Sequence, residues 1–199
     1  MSSWWQLTLA SFLGYAVGAV SPAALIAKAR GIDLRTAGSG NPGATNAGRV
    51  MGRKVGYLVG GLDVLKGLLP ALVVRPGLGL AAAMVAGVAA VLGHCTSPWL
   101  HGRGGKGVAT SFGAILGVAP VWALGALLGF LVVLGATRWV ALASVAAAVT
   151  LVGIAAVAAA RGGSSADVQR LVWAVVLGGI VVYRHRSNFV TRWRARGRS

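Results

Sequence analysis

The chain has 199 residues, 56% of them hydrophobic and only 11% charged, whereas a soluble globular domain is about a quarter charged; a water-soluble protein is excluded and an integral membrane protein is implied. Nineteen Lys and Arg stand against three acids, Asp33, Asp63 and Asp167, for a formal net charge of +16. These cations cluster beside apolar spans, which fits cytoplasmic loops and anionic lipid headgroups and argues against a nucleic-acid partner.

The first apolar stretch, about 4–27, has no basic residue before Lys28 and reads as a membrane span rather than a cleaved signal peptide. A basic segment follows, with Lys28, Arg30, Arg35, Arg49, Arg53 and Lys54. It contains "GSGNPGATN", residues 38–46, whose first six letters satisfy the dinucleotide fingerprint G-x-G-x-x-G, with Asp63 twenty positions beyond Gly43. That fingerprint needs a preceding strand and a sheet, and a membrane helix precedes it here. The glycines still allow close backbone approach to an anion. Ser39, Asn41, Thr45 and Asn46 add short donors, and Arg49 adds a planar fork suited to phosphate.

The second span, about 55–74, carries "LDVLKG", with Asp63 and Lys66 on one helical face. Intramembrane charges face protein or water rather than lipid, so the pair either joins helices or meets a substrate. A third span covers about 77–93, and "GHCTSPWLHGRGGKGVATSFG" follows over 93–113. There Gly104-Gly105-Lys106-Gly107 opens a helix, a ready anion site. Gly107 stands where a P-loop would carry Ser or Thr. His94 is either a satisfied core histidine or a ligand, and His101 is a weaker candidate. Cys95, the single cysteine, excludes an internal disulfide and a multi-Cys metal site.

The apolar run 108–134 is interrupted by Gly117 and Pro120, which splits it into helices at about 107–118 and 120–135. Spans at about 139–160 and 168–183 follow, joined by a plain turn, "RGGSSAD". The count is then seven, some of them short. Seven spans put the N-terminus outside and place the 28–54 segment, the "HGRGGKG" loop and the Arg-rich tail together on the cytoplasmic face. A six-span count separates the basic clusters, whereas five spans with re-entrant pieces keep the same sidedness. The expected architecture is an all-α polytopic membrane protein, a single domain over 1–199 with a basic cytoplasmic tail over 184–199. In "YRHRSNFVTRW", His185 and Asn188 share a face if the last helix continues.

No Glu is present, so there is no carboxylate pair for acid–base work, and no metal site is expected. No H-x-x-x-x-D exists either: Trp99, Lys106 and Val190 stand at the acid's position after His94, His101 and His185. What remains is backbone N–H groups, Lys, Arg, Asn and His, a set that suits anionic, already activated substrates. A non-enzymatic carrier of phosphorylated or lipid solutes would use the same groups, and a lipid scaffold would leave their concentration on one face unexplained.

Taken in order, "GSGNPGATN", "DVLKG", "GHCTSPWLHGRGGKGVAT" and "HRSNFVTR" resemble the motifs of the bacterial acyl-phosphate:glycerol-3-phosphate acyltransferases, over about 21–193. The resemblance implies fatty acyl transfer from acyl phosphate to the 1-hydroxyl of glycerol 3-phosphate, without cofactor or acyl-enzyme, in the plasma membrane. Carried over by position, Ser39 and Arg49 would hold the glycerol phosphate and Lys106 would bridge toward the acyl phosphate. Gly38, Gly40, Asn41 and the Gly104-Gly105 backbone would cradle the acyl phosphate, while His185 and Asn188 would orient the reacting groups. Thr45, Asn46, Lys66 and His94 complete the expected substrate-binding set. The chain departs from the family's pattern at Arg103, where a Lys is usual, and after Asn188, where no Glu follows.

Overall fold

The computed structural model describes residues 3–162 and 164–196, and among these it is helical with no strand. The chain divides into two compact units, Met1–Val118 and Ala119–Ser199.

The first unit begins with α1 (Trp4–Ala19) and α2 (Pro22–Ala29). Together they form the expected first span, with a break the apolar pattern does not disclose. Pro22 opens α2, and the Ser21 hydroxyl accepts the Ala24 N–H at 3.3 Å, the usual N-cap arrangement. A continuous helix would have given that N–H to the Val20 carbonyl; here the carbonyl is left for a side chain.

After the glycine loop come α3 (Ala44–Met51) and α4 (Arg53–Cys95). Helix α4 spans 43 residues and contains both the second and third expected spans, with a single non-helical residue, Gly79, at φ 85°. Only glycine adopts that conformation cheaply. Asp63 and His94 face each other at 3.5 Å, and they lie 16 residues before and 15 after Gly79 (79 − 63 and 94 − 79). The two arms therefore double back on each other as a hairpin. Helix α1 packs on the second arm through small residues: a Cβ on Gly14 would collide with the Ala86 carbonyl, and one on Gly18 with that of Ala90. Such residues let membrane helices approach closely. Both partners advance by four, so α1 and the second arm run in the same direction, as first and third spans must.

A short 3-10 turn (Pro98–Leu100) leads to α5 (Val108–Val118), the expected short helix. Its last carbonyls, Gly117 and Val118, accept the Arg75 guanidinium at 3.0 and 3.4 Å. An intramembrane arginine thus satisfies helix-end acceptors that lipid could not.

The second unit holds α6 (Pro120–Thr137), α7 (Val140–Ala160) and α8 (Ser165–Arg196). Gly125 meets Ile154 and Gly129 meets Thr150, so α6 and α7 are antiparallel. Helix α8 returns along α7: Gly178 lies beside Val152, and the Phe189 and Trp139 rings are 4.7 Å apart. Arg192 stacks over Trp139 at 4.2 Å, an attraction between cation and ring face. Among the described residues, five helices are long and apolar enough to cross a membrane. Counting the α4 arms separately and adding α5 gives seven apolar segments, the number expected.

Candidate functional site

The glycine loop is built around one buried amide. Asn46, 1% exposed, accepts the Ser39 N–H on Oδ1 at 2.8 Å and donates from Nδ2 to the carbonyls of Ala37 (3.0 Å) and Leu34 (3.5 Å). Gly38 and Gly40 have φ of 62° and 70°, and a Cβ on Gly38 would collide with Asn46 Oδ1. The glycines therefore let the chain wrap a side chain rather than a nucleotide. Beneath lies a small apolar core of Ala23, Ala27, Leu34, Ala47, Val55 and Val59. The outcome is a loop that presents Ser39 to the exterior, with Asn41 half-buried, and a following helix α3 that exposes Thr45 and Arg49. Asn46 was expected among the donors facing a ligand; in the structure its amide serves the loop backbone.

A second cluster lies within the helices. Asp63, Lys66 and His94 are 3%, 6% and 6% exposed. Asp63 Oδ1 lies 3.1 Å from Lys66 Nζ and 3.5 Å from His94 Nδ1. Lys66 Nζ also donates to the Val20 carbonyl at 2.7 Å, the acceptor released by the break before α2. Both arms of α4 meet at this carboxylate, and Lys66 ties it to the end of α1. Removing one partner of such a buried pair costs about 3–5 kcal/mol in soluble proteins, because the other charge is stranded.

His94 links this cluster to the second glycine segment. The Gly105 N–H donates to the His94 carbonyl and the Gly104 N–H to the Cys95 carbonyl, both at 3.1 Å. A Cβ on Gly105 would collide with His94 Nε2, and one on Gly104 with the His94 carbonyl. These two glycines thus lie flat against the end of α4, their N–H groups turned to its carbonyls. Lys106 follows, half-buried, and Gly107 at φ 80° turns the chain into α5. The first helical amide bond there, Ser111 N–H to the Gly107 carbonyl, is 2.7 Å. The N–H groups of the turn before it are the orphan donors of a helix start.

Both glycine segments converge on the same stretch of α4. Ala44, the first residue of α3, lies 3.6 Å from the Cβ position of Gly60, while Thr110 and Gly113 of α5 abut Gly67 and Val64. Residues 60–67 cover about 10 Å of helix axis. The loop bearing Ser39 and Arg49 and the turn bearing Lys106 are therefore mounted on one two-turn segment, with Asp63 and Lys66 inside it. His185 and Asn188 lie on α8 of the second unit. Helix α8 does continue through them, and the buried His185 ring nitrogen Nδ1 is 2.8 Å from the Val181 carbonyl.

The sequence alone did not point to Val20, whose carbonyl matters only because Pro22 breaks the helix. Nor did it pair Asp63 with His94; the nearly equal arms either side of residue 79 were the available signal. Thr110 and Ser111 were likewise passed over. Their hydroxyls are buried without a hydrogen-bond partner among the described residues, immediately after the Lys106 turn.

Residues 8–195 match the family model described as glycerol-3-phosphate acyltransferase. A glycerol-3-phosphate acyltransferase of Aquifex aeolicus is 40% identical over 176 residues, covering 87% of this chain and 88% of the relative. Glycerol-3-phosphate acyltransferase 1 of Deinococcus radiodurans is 48% identical over 138 residues, 68% and 69% of the two chains. Among solved structures, the crystal structure of PlsY (YgiH), an integral membrane glycerol 3-phosphate acyltransferase in its glycerol 3-phosphate form, aligns with a TM-score of 0.87 at 37% identity. That alignment covers 96% of this chain and 93% of PlsY. The lysophosphatidic acid form aligns with a TM-score of 0.85 at 36% identity.

Proposed function

The chain belongs to the glycerol-3-phosphate acyltransferase family, and from that premise we propose that it takes its acyl group from acyl phosphate. The 1-hydroxyl oxygen of glycerol 3-phosphate attacks the acyl carbonyl carbon and the carbon–oxygen bond of the mixed anhydride breaks. 1-Acylglycerol 3-phosphate and inorganic phosphate are released, and a substrate phosphate accepts the hydroxyl proton. The observation that carries this reading is the mounting of two anion-holding segments on residues 60–67 of α4, since donor and acceptor each bring one phosphate.

Ser39 and Arg49 hold the glycerol phosphate, and Lys106 bridges toward the acyl phosphate as it loses its acyl group. Gly38, Gly40 and Asn41 shape the approach to the acyl phosphate. Gly104 and Gly105 contribute the absence of side chains, so that Lys106 and the N–H groups opening α5 stabilise the leaving charge. His185 and Asn188 orient the reacting groups and polarise the carbonyl. With no Glu in the chain and a good leaving group in the anhydride, positioning and electrostatics supply the catalysis. The basic residues of 28–54, 101–106 and the tail favour an external N-terminus and a cytoplasmic site in the plasma membrane.

The test is incubation of purified protein with glycerol 3-phosphate and either acyl phosphate or acyl-CoA. Lysophosphatidate and phosphate are expected only with acyl phosphate; acylation from the CoA ester alone overturns the donor assignment. Ser39→Ala and Lys106→Ala are each expected to cost at least about 100-fold in rate, the range for removing one preorganised electrostatic contact.

A further inference from the structure

The buried Asp63 lies too deep to meet a substrate phosphate, yet its position ties together parts of the site that are far apart in sequence. Its carboxylate lies 3.1 Å from Lys66 Nζ and 3.5 Å from His94 Nδ1. The other edge of the His94 ring is where a Cβ on Gly105 would fall, and the His94 carbonyl accepts the Gly105 N–H. Lys66 in turn grips the Val20 carbonyl at the end of α1. A chain of contacts thus runs from α1 through Lys66, Asp63 and His94 to Gly105, the residue before Lys106.

We propose that Asp63 is a positioning residue for the acyl-phosphate subsite, acting through His94 to fix the Gly104–Gly107 turn and hence Lys106. The proposal rests on the assignment of that turn to the donor phosphate. The Asp63 carboxylate abuts His94 Nδ1 at 3.5 Å without a formed hydrogen bond, so it limits where the ring can lie, and the ring sets where the Gly105 backbone can lie. The glycine loop packs on the same arm of α4 but is held mainly by other groups, because Asn46 bonds the Ser39 N–H and the apolar core beneath draws on α2, α3 and on Val55 and Val59, ahead of Asp63. The two substrates therefore depend on Asp63 differently. A merely structural ion pair would affect both alike.

Initial rates of Asp63→Asn, His94→Gln and the double variant, measured against each substrate in turn, separate these cases. Asp63→Asn is expected to raise KM for acyl phosphate about tenfold while KM for glycerol 3-phosphate stays within twofold, since small misplacement of a positioning element has large effects. His94→Gln is expected to reproduce that pattern, and the double variant to be no worse than the poorer single one, as for residues acting in one chain. Equal changes in both KM values, unchanged KM values with a lower kcat, or multiplying effects in the double variant each overturn the proposal. If Asp63→Asn fails to fold, Asp63→Leu/Lys66→Met replaces the whole pair by apolar groups, which buried sites tolerate, and the same KM split is required of it. Binding of inorganic phosphate in the presence of saturating glycerol 3-phosphate, followed by 31P line broadening, reports the donor subsite independently of turnover. Weaker broadening with the variant than with the parent protein supports the positioning role, and equal broadening refutes it. Absence of any acylation from acyl phosphate by the parent protein condemns the functional reading instead, and leaves the phosphate measurement to decide this one.

Discussion

The two glycine segments of the first unit, residues 38–46 and 104–107, look alike as strings but are stabilised by different means. The first is a surface loop organised by a neutral amide: Asn46 gathers three backbone groups, and the loop rests on its own small core. The second has no such side chain. It is pinned through backbone bonds to the end of α4 and wedged against His94, whose orientation traces back to buried charges. A glycine-rich segment can therefore be held in place by wrapping a polar side chain or by lying flat against a helix end. The first design tolerates solvent, whereas the second needs a membrane-buried network behind it.

The contrast predicts unequal sensitivity. Gly105→Ala forces a methyl group onto the His94 ring, so backbone or ring must move. The expected result is a rate loss of at least about 100-fold, the scale for a displacement near 1 Å at reacting groups, seen mainly with acyl phosphate as the varied substrate. Asn46→Ala should do less. It strands the Ser39 N–H and the Ala37 carbonyl, at about 1–3 kcal/mol for an unsatisfied buried group. A rise in KM for glycerol 3-phosphate of about tenfold follows, as 1.4 kcal/mol is tenfold in an equilibrium, with faster hydrogen exchange at the Ser39 amide. If Asn46→Ala impaired acyl phosphate use more than glycerol 3-phosphate use, the two segments would not be independent.

The smallest effect belongs to Arg35, exposed at the edge of the same loop. It forms a two-point pair with Asp33, at 3.1 Å from Nε to Oδ1 and 3.1 Å from Nη2 to Oδ2, and this holds the Asp33 carboxyl below its usual range. A carboxylate depressed in the folded state stabilises above its unfolded pKa and loses that contribution as pH falls through the folded value. Arg35→Ala should therefore leave activity at neutral pH and moderate salt unchanged, because exposed pairs contribute little. A slightly higher acid midpoint in a pH titration of unfolding is the only trace expected.

Much of this was legible in the sequence because the bilayer restricts the options. Gly117 and Pro120 marked the split between α5 and α6, since proline cannot continue a helix and its position is visible in the letters. Basic clusters gave the parity that made seven spans preferable to six. What could not be read was direction inside the membrane. "LDVLKG" announces a buried pair but not its third partner, because His94 is brought to Asp63 by a reversal at Gly79 that one glycine among 31 does not advertise. Asn46 looked like another donor for a ligand; only the positive φ of Gly38 and Gly40 reveals that the loop folds back onto it.

The reversal at Gly79 bears finally on how the chain enters the bilayer. The two arms of α4 are joined without a polar loop, so between them there is no hydrophilic segment to be carried across, and the single charge near the bend, Arg75, caps α5. Such a joint suits insertion of the two arms as one hairpin, which would let Asp63 and Lys66 of the first arm meet His94 of the second without facing lipid alone. The same contacts that join the two arms in the folded chain would thus lower the cost of placing a charged span in the membrane.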